Sequence, residues 1–231
     1  MKKLAHRGYS AYYPENTMIA FKKAYERGFD GVETDVHMTK DGQLVLIHDE
    51  KIDRTSNGQG YIQDYTLAEL RQFNFAYQFD GIHFIPTLKE LLSFIQGKDF
   101  IVNLGIKTDK IHYPHIEEKI ITMVEEMGVQ DQILYSSFWL DSVLKVKELR
   151  PSVYVGYLME FQYKKKREAL RKHHIQAFHP RYNYVNEERV KDLKKDHIQI
   201  ATWTVPNIKT YKRLKELGVD IIISNQYLSE V

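Results

Sequence analysis

Apolar residues along this chain switch repeatedly between two spacings. Short runs, continuously apolar or alternating at every second residue, stand at 4–6 (LAH), 31–36 (GVETDV), 100–106 (FIVNLGI), 132–138 (QILYSSF), 153–158 (VYVGYL), 175–179 (IQAFH), 198–205 (IQIATWTV) and 219–224 (VDIIIS). Such runs predict strands. Between them the apolar positions recur at i, i+3 and i+4. In PENTMIAFKKAYERG (14–28), Met18, Phe21, Ala24 and Tyr25 share one helical face, with Pro14 opening the segment and Gly28 stopping it. Further helices are predicted over 87–95, 115–128, 140–149, 164–173, 186–196 and 207–218. Eight strands, each but the last followed by a helix, predict an α/β fold closed as a TIM (β/α)8 barrel. An open doubly wound sheet competes with it, although no G-x-G-x-x-G follows the first strand.

The alternation breaks once. After GVETDV the chain reads HMTKDGQLVLIHD (37–49), with Asp41-Gly42 between two β-like runs, a short-range hairpin signal. The strand is predicted to run out past Asp35, turn, and return along QLVLIH, so that His48 arrives beside Glu33 and Asp35. Residues 50 to about 85 then make an excursion with no strand–helix unit, read as a small cap on the same end of the barrel. Within it FNFAYQF alternates Phe73, Phe75, Tyr77 and Phe79, the pattern of a half-buried strand whose rings pack. The expectation is one TIM-barrel domain over 1–231 carrying this insertion.

Composition trims the alternatives. At 231 residues, 43% hydrophobic and 28% charged, the chain supports one sizeable core, and no Pro/Gly/Ser-rich linker divides it. A net charge of +2 with no basic stripe argues against nucleic acid. The lack of cysteine excludes disulfides and thiolate metal sites and suits a cytoplasmic location. No run has transmembrane length, and MKKLAHRGYS lacks the apolar stretch of a signal peptide, so no stable membrane insertion is expected. The basic run at 163–172 reads as a solvated helix face. A monomer or homodimer acting on a small molecule is the expectation that remains.

Barrel enzymes build their sites at the C-terminal ends of the strands. Here those ends carry His6 and Arg7, then Glu33 and Asp35 on one side of their strand. The returning hairpin adds His48 and Asp49, the third strand Asn103 and Lys107, and the seventh Trp203. Adjacent carboxylates are hard ligands for Mg²⁺ or Ca²⁺. Arginine matches phosphate oxygens with a fork, and lysine adds a mobile point charge. Two imidazoles flanking one centre suit a general base and a general acid. Together they describe metal-assisted phosphoester cleavage. A lone histidine is ordinarily structural or exposed, and His37, His83, His112, His115, His173, His174 and His197 are read that way. Co-location at strand ends is what singles out His6 and His48.

The segments HRG, PENT, ETDVHMTKDGQLVLIHD and DRTSNGQGYI, with IPTLKELL, SSFWLDSVLKVKELRP, VGYL and ATWTV further on, resemble the glycerophosphodiester phosphodiesterases, cousins of the phosphatidylinositol-specific phospholipases C. The resemblance spans nearly the whole chain. It implies a TIM barrel, a divalent cation (Mg²⁺ or Ca²⁺), and hydrolysis of glycerophosphodiesters to sn-glycerol 3-phosphate and an alcohol. By position it makes His6 and His48 the acid/base pair and Arg7 the phosphate-binding arginine. Glu33 and Asp35 become metal ligands, Lys107 a phosphate contact, and Glu15 of PENT a residue at the site edge. Trp203 reads equally as barrel core or as a wall beside the glycerol moiety.

One departure stands out. Where the family reads Asn-Ile-Glu-Leu-Lys on the third strand, this chain has VNLGIKTD, and Gly105 occupies the place of a third carboxylate ligand. By strand parity 103, 105 and 107 face inward together, so weaker cation binding is expected. Glu160 is a candidate to reach in instead. Lesser departures are Pro206, where the family commonly has Asn, and Asn225, where it favours Asp. Gly105 also motivates an alternative of another class, a non-enzymatic phosphodiester or glycerol-phosphate binding protein. A phosphodiester lyase that stops at a cyclic phosphate is a third reading.

Overall fold

The computed structural model describes residues 1–76 and 78–229. Its strands are β1 (Lys2–His6), β2 (Gly31–Met38), β3 (Leu44–Leu46), β4 (Ile101–Ile106), β5 (Ile133–Ser137), β6 (Val155–Met159), β7 (Ala177–Pro180), β8 (Gln199–Thr202) and β9 (Ile221–Ser224). The helices are α1 (Met18–Arg27), α2 (Leu67–Leu70), α3 (Leu88–Ile95), α4 (Ile116–Glu126), α5 (Leu140–Leu149), α6 (Tyr163–Lys172), α7 (Glu187–Lys195) and α8 (Ile208–Glu216). The strands other than β3 pair in parallel with one another, β3 lies antiparallel on β2, and β1 pairs with both β9 and β2. That last pairing closes the ring and eliminates the open-sheet alternative.

Alternation along the strands divides two apolar layers. Leu4, Ala201, Ile221 and Ile223 pack with Ile101, Leu134 and Trp203 inside the ring. The intervening residues, such as Val32, Val102, Tyr135, Phe178 and Ile200, join the helices in a larger outer core. Among the described residues no helix is long and apolar enough to cross a membrane.

The hairpin forms as the Asp-Gly signal predicts, with Val36 opposite Leu46 and Met38 opposite Leu44. Gly42 takes a left-handed φ of 76° at the turn. The cap that follows has its own apolar cluster of Val45, Ile47, Ile52, Ile62, Leu70, Phe75 and Ile85. The FNFAYQF alternation does not make a strand among the described residues, and Tyr77 lies outside them. Turn chemistry wins there, because Asn74 Oδ1 accepts hydrogen bonds from the backbone N–H groups of Ala76 and His83. Phe75 is buried and Phe73 packs against the cluster, whereas Phe79 is 44% exposed.

The first helix also starts later than the Pro14 signal suggests. Thr17 is the N-cap, its side chain accepting from the Ala20 N–H. Residues 14–16 therefore belong to the β1–α1 connection, which brings Glu15 and Asn16 to the barrel mouth.

Candidate active site

β1 delivers His6 and then turns sharply, with Arg7 at φ 57° and Gly8 at φ 81°. Gly8 is required by a close approach as well as by its conformation. A Cβ there would lie 2.7 Å from the Cβ of Ala20 in α1. Beside this turn β2 presents Glu33 and Asp35, β4 ends toward Lys107, and the hairpin returns His48. His6, Arg7, Glu33, Asp35, His48, Asn103, Lys107 and Trp203 all line one cleft at the C-terminal rim, with Phe138, Leu158 and Ile223 as its apolar walls. Of the residues expected from the sequence, Glu15, Asp49 and Glu160 stand outside this lining, Glu15 being tied to Arg7 and Asp49 to His48.

His6 Nδ1 lies 2.7 Å from Asn225 Oδ1, a carbonyl-type oxygen that only accepts, so Nδ1 carries the proton and Nε2 is free. Nε2 stands 3.9 Å from Glu33 Oε2. Burial, reinforced by the Arg7 guanidinium, lowers the His6 pKa to about 4 and keeps the ring neutral. His48 donates Nδ1–H to Asp49 Oδ1 at 2.6 Å. Beneath it, His37 donates Nε2–H to the His48 carbonyl and accepts from the Tyr113 hydroxyl. The sequence reading treats His37 as bland, and it is structural, but its task is to hold the residue that bears the catalytic candidate.

The carboxylates divide unequally. Burial and the neighbouring Asp35 push Glu33 well above the usual carboxylate range. Burial would raise Asp35 too, but Lys107, then His48 and Arg7, outweigh it and hold Asp35 low. Lys107 Nζ is 3.3 Å from Asp35 Oδ1, and Arg7 Nε is 3.8 Å from Oδ2. Asn16 adds a weaker hydrogen bond to Asp35 while its own Oδ1 accepts from Thr34.

Two positioning groups escape a reading by motif. Arg54, in the cap, grips Asp49 through Nε and Nη2 (2.6 and 3.2 Å) and Glu15 through Nη1 and Nη2 (2.8 and 2.7 Å). Glu15 Oε1 also accepts from Arg7 Nη1 at 2.9 Å. The chain His48–Asp49–Arg54–Glu15–Arg7 thus links the hairpin arm to the β1 arm. DRTSNG contains Arg54 plainly, but nothing local says what it holds. Asn225 is the other group. It reads in the sequence only as a departure, whereas in the fold it sets the His6 tautomer.

The fit to a divalent cation is partial. Among the described residues no three His, Asp or Glu side chains converge as a metal-holding group. A Cβ on Gly105 would stand 3.3 Å from Asp35 Oδ1 and 3.6 Å from Glu33 Oε1, so the inward slot does face both carboxylates. Glu160 does not fill it, for it pairs with Arg181 at 3.2 Å and lies outside the cleft lining. Asn103, however, lines the cleft with both side-chain polar atoms buried and without hydrogen-bond partners. Two carboxylates and an unsatisfied amide form an oxygen-donor set suited to Mg²⁺ or Ca²⁺.

Trp203 follows the end of β8 and donates Nε1–H to the His179 carbonyl at 2.8 Å. Its ring meets Phe138 edge-on, with centroids 5.6 Å apart. It is therefore both a packed residue and a wall of the cleft.

Comparison with known proteins places this geometry. A model of the glycerophosphoryl diester phosphodiesterase family matches residues 6–228. A glycerophosphodiester phosphodiesterase of Caldanaerobacter subterraneus subsp. tengcongensis is 39% identical over 226 residues, covering 96% of this chain and 93% of the relative. The structure of an Oleispira antarctica phosphodiesterase in complex with the product sn-glycerol-3-phosphate superimposes with a TM-score of 0.88 at 28% identity, covering 97% of this chain and 93% of that one. A Thermotoga maritima glycerophosphodiester phosphodiesterase gives a TM-score of 0.78 at 31% identity, with coverage of 97% and 94%.

Proposed function

Since the chain belongs to the glycerophosphoryl diester phosphodiesterase family, we propose that it hydrolyses glycerophosphodiesters to sn-glycerol 3-phosphate and an alcohol, with His6 and His48 as its acid/base pair and a divalent cation as cofactor. The observation that carries this reading is the convergence of two imidazoles, two cationic side chains and two carboxylates on one cleft. The product named for the Oleispira antarctica relative supports the substrate class.

Glu33 and Asp35 are the residues that would hold Mg²⁺ or Ca²⁺, which when bound supplies Lewis-acid neutralisation of a phosphate oxygen. Arg7 and Lys107 bind the remaining phosphate charge, and both already lie against Asp35 at the cleft floor. His6, neutral and with Nε2 unprotonated, accepts the proton of the attacking hydroxyl, either water or the substrate's own glycerol oxygen. His48, whose Nδ1–H is held by Asp49, donates a proton from Nε2 to the leaving alcohol. Trp203 forms the wall beside the glycerol moiety.

The test is hydrolysis of glycerophosphocholine followed against added Mg²⁺, Ca²⁺ and Mn²⁺. His6→Ala and His48→Ala should each lower kcat by about 10²–10⁴-fold without loss of fold. No turnover at millimolar metal in a folded sample would overturn the assignment. The sparse carboxylate set favours one competing reading, a binding protein that retains the anion clamp and has lost its metal. Calorimetry with sn-glycerol 3-phosphate in chelator separates the two. Metal-free binding with no turnover supports the competitor, and strictly metal-dependent binding supports the enzyme.

A further inference from the structure

Asn103 sits in the middle of β4, is 1% exposed, and pairs in register with Glu33. Neither its Oδ1 nor its Nδ2 has a hydrogen-bond partner within the protein. Native side chains at this depth almost always satisfy at least one end. Asn16 shows the contrast, being equally buried but bonded through Oδ1 to Thr34 and through Nδ2 to Asp35. The neighbourhood of Asn103 repeats the pattern. Ser136, opposite Gly105 across the β4–β5 ladder, has a buried Oγ that is likewise unpartnered. Gly105, two residues further along β4 and in register with Asp35, puts no side chain into the inward slot that opens on both carboxylates.

These groups belong to one chemical problem. Two buried carboxylates supply at most two negative charges, fewer than a hard cation would ordinarily find in an all-carboxylate pocket. Asparagine side-chain carbonyls are ordinary ligands of such cations, and they add an oxygen without adding charge. An amide also has an N–H end free to meet an anionic oxygen once its carbonyl end is engaged. We infer that Asn103 is a ligand of the divalent cation, its Oδ1 taking the coordination place next to Glu33 and Asp35 that Gly105 leaves without a carboxylate. The inference rests on the cation dependence proposed above. It makes this site a two-carboxylate, one-amide site of reduced charge.

The experiment titrates Mn²⁺, Mg²⁺ and Ca²⁺ into substrate-free protein by calorimetry and by melting temperature, for the parent, Asn103→Leu and Asn103→Asp. Leucine removes both unsatisfied ends while keeping volume, so the metal-free Tm should hold or rise. Its cation Kd should weaken at least about tenfold. Aspartate should tighten the Kd and lower the metal-free Tm, since it crowds a third carboxylate into the pocket. If the parent binds cation and Asn103→Leu binds it equally well, Asn103 is no ligand, and the cation reading of the cleft survives alone. A parent that binds none of the three ions overturns both. Should the leucine variant fail to melt cooperatively, Asn103→Asp decides, because an unchanged Kd there is equally fatal.

Discussion

Gly105 and Arg54 show how much single residues settle at this site. A Cβ at 105 would be in tight contact with Asp35 Oδ1, at 3.3 Å, so Gly105→Glu is accommodated only if Asp35 yields by a few tenths of an ångström. Its carboxylate would then join Glu33 and Asp35. The variant should be less stable than the parent without metal and more strongly stabilised by it, because the added charge repels its neighbours until a cation binds. Coincident melting-temperature titrations for parent and variant would show that the slot does not face the cation. Arg54 touches no reacting group, yet its two forks tie Glu15 and Asp49 together. Arg54→Ala should reduce kcat on the order of 10- to 100-fold by loosening Arg7 and His48 together. A lysine cannot reproduce both forks, so Arg54→Lys should recover only part of the loss. The readout that distinguishes positioning from general damage is the pH profile of kcat, which should shift for Arg54→Ala while the Tm changes little.

At the scale of elements, the hairpin and the cap act as one device. β3 carries the chain back to His48, and Val45 within the strand and Ile47 just past it anchor the cap cluster. Ile62 is fully buried in that cluster and far along the chain from the helices of the outer core. Ile62→Ala should cost the cap about 2–5 kcal/mol. The loss should appear as faster hydrogen exchange and proteolysis within 50–85, with falling activity, before the barrel itself melts. If exchange rises equally in β5–β8, the cap and barrel unfold as a single unit and this division is wrong. The capping boxes Thr66–Glu69 and Thr87–Glu90 start α2 within this region and α3 just after it.

The whole molecule carries buried imidazoles that make its stability pH-dependent. Burial lowers His6 and His37 to about 4 and His179 to about 3. His179 meets the Tyr154 hydroxyl at 3.0 Å and has no partner on Nδ1. In the unfolded chain these rings take up protons near pH 6.5, whereas in the fold they resist until about 4 or below, so the unfolded state binds more protons across that window. Stability is therefore lost as pH falls from about 6.5 toward 4. Glu33, raised by burial and by Asp35, works in the opposite direction, gaining stability as it protonates in the fold. With three imidazoles against one carboxylate, the net Tm should drop between pH 7 and pH 5. His179→Gln should flatten the slope, and a variant whose Tm falls as steeply as the parent's would remove His179 from this account.

Much of this protein was readable before any coordinate. The eight barrel strands, the hairpin and the principal helices follow from local periodicity, and the chemistry-bearing residues at the strand ends follow from the fold class those elements imply. Such features depend on neighbours a few residues apart, where backbone geometry alone sets which side chains share a face. Local signals failed where a nearby side chain competed for the backbone, as Asn74 does in the cap and Thr17 at the start of α1. Closure of the ring was decided only in three dimensions, through the pairing of β1 with β2. The partner of His6 is Asn225, 219 residues away, and the partner of Glu15 is Arg54, 39 residues away. No spacing rule reaches that far, because contacts of this kind exist only once the sheet has closed and brought both ends of the chain to the same rim. Gly105 illustrates the division. Its identity and its inward parity belong to the sequence, while the burial that leaves Asn103 unsatisfied beside two carboxylates belongs to the packed barrel.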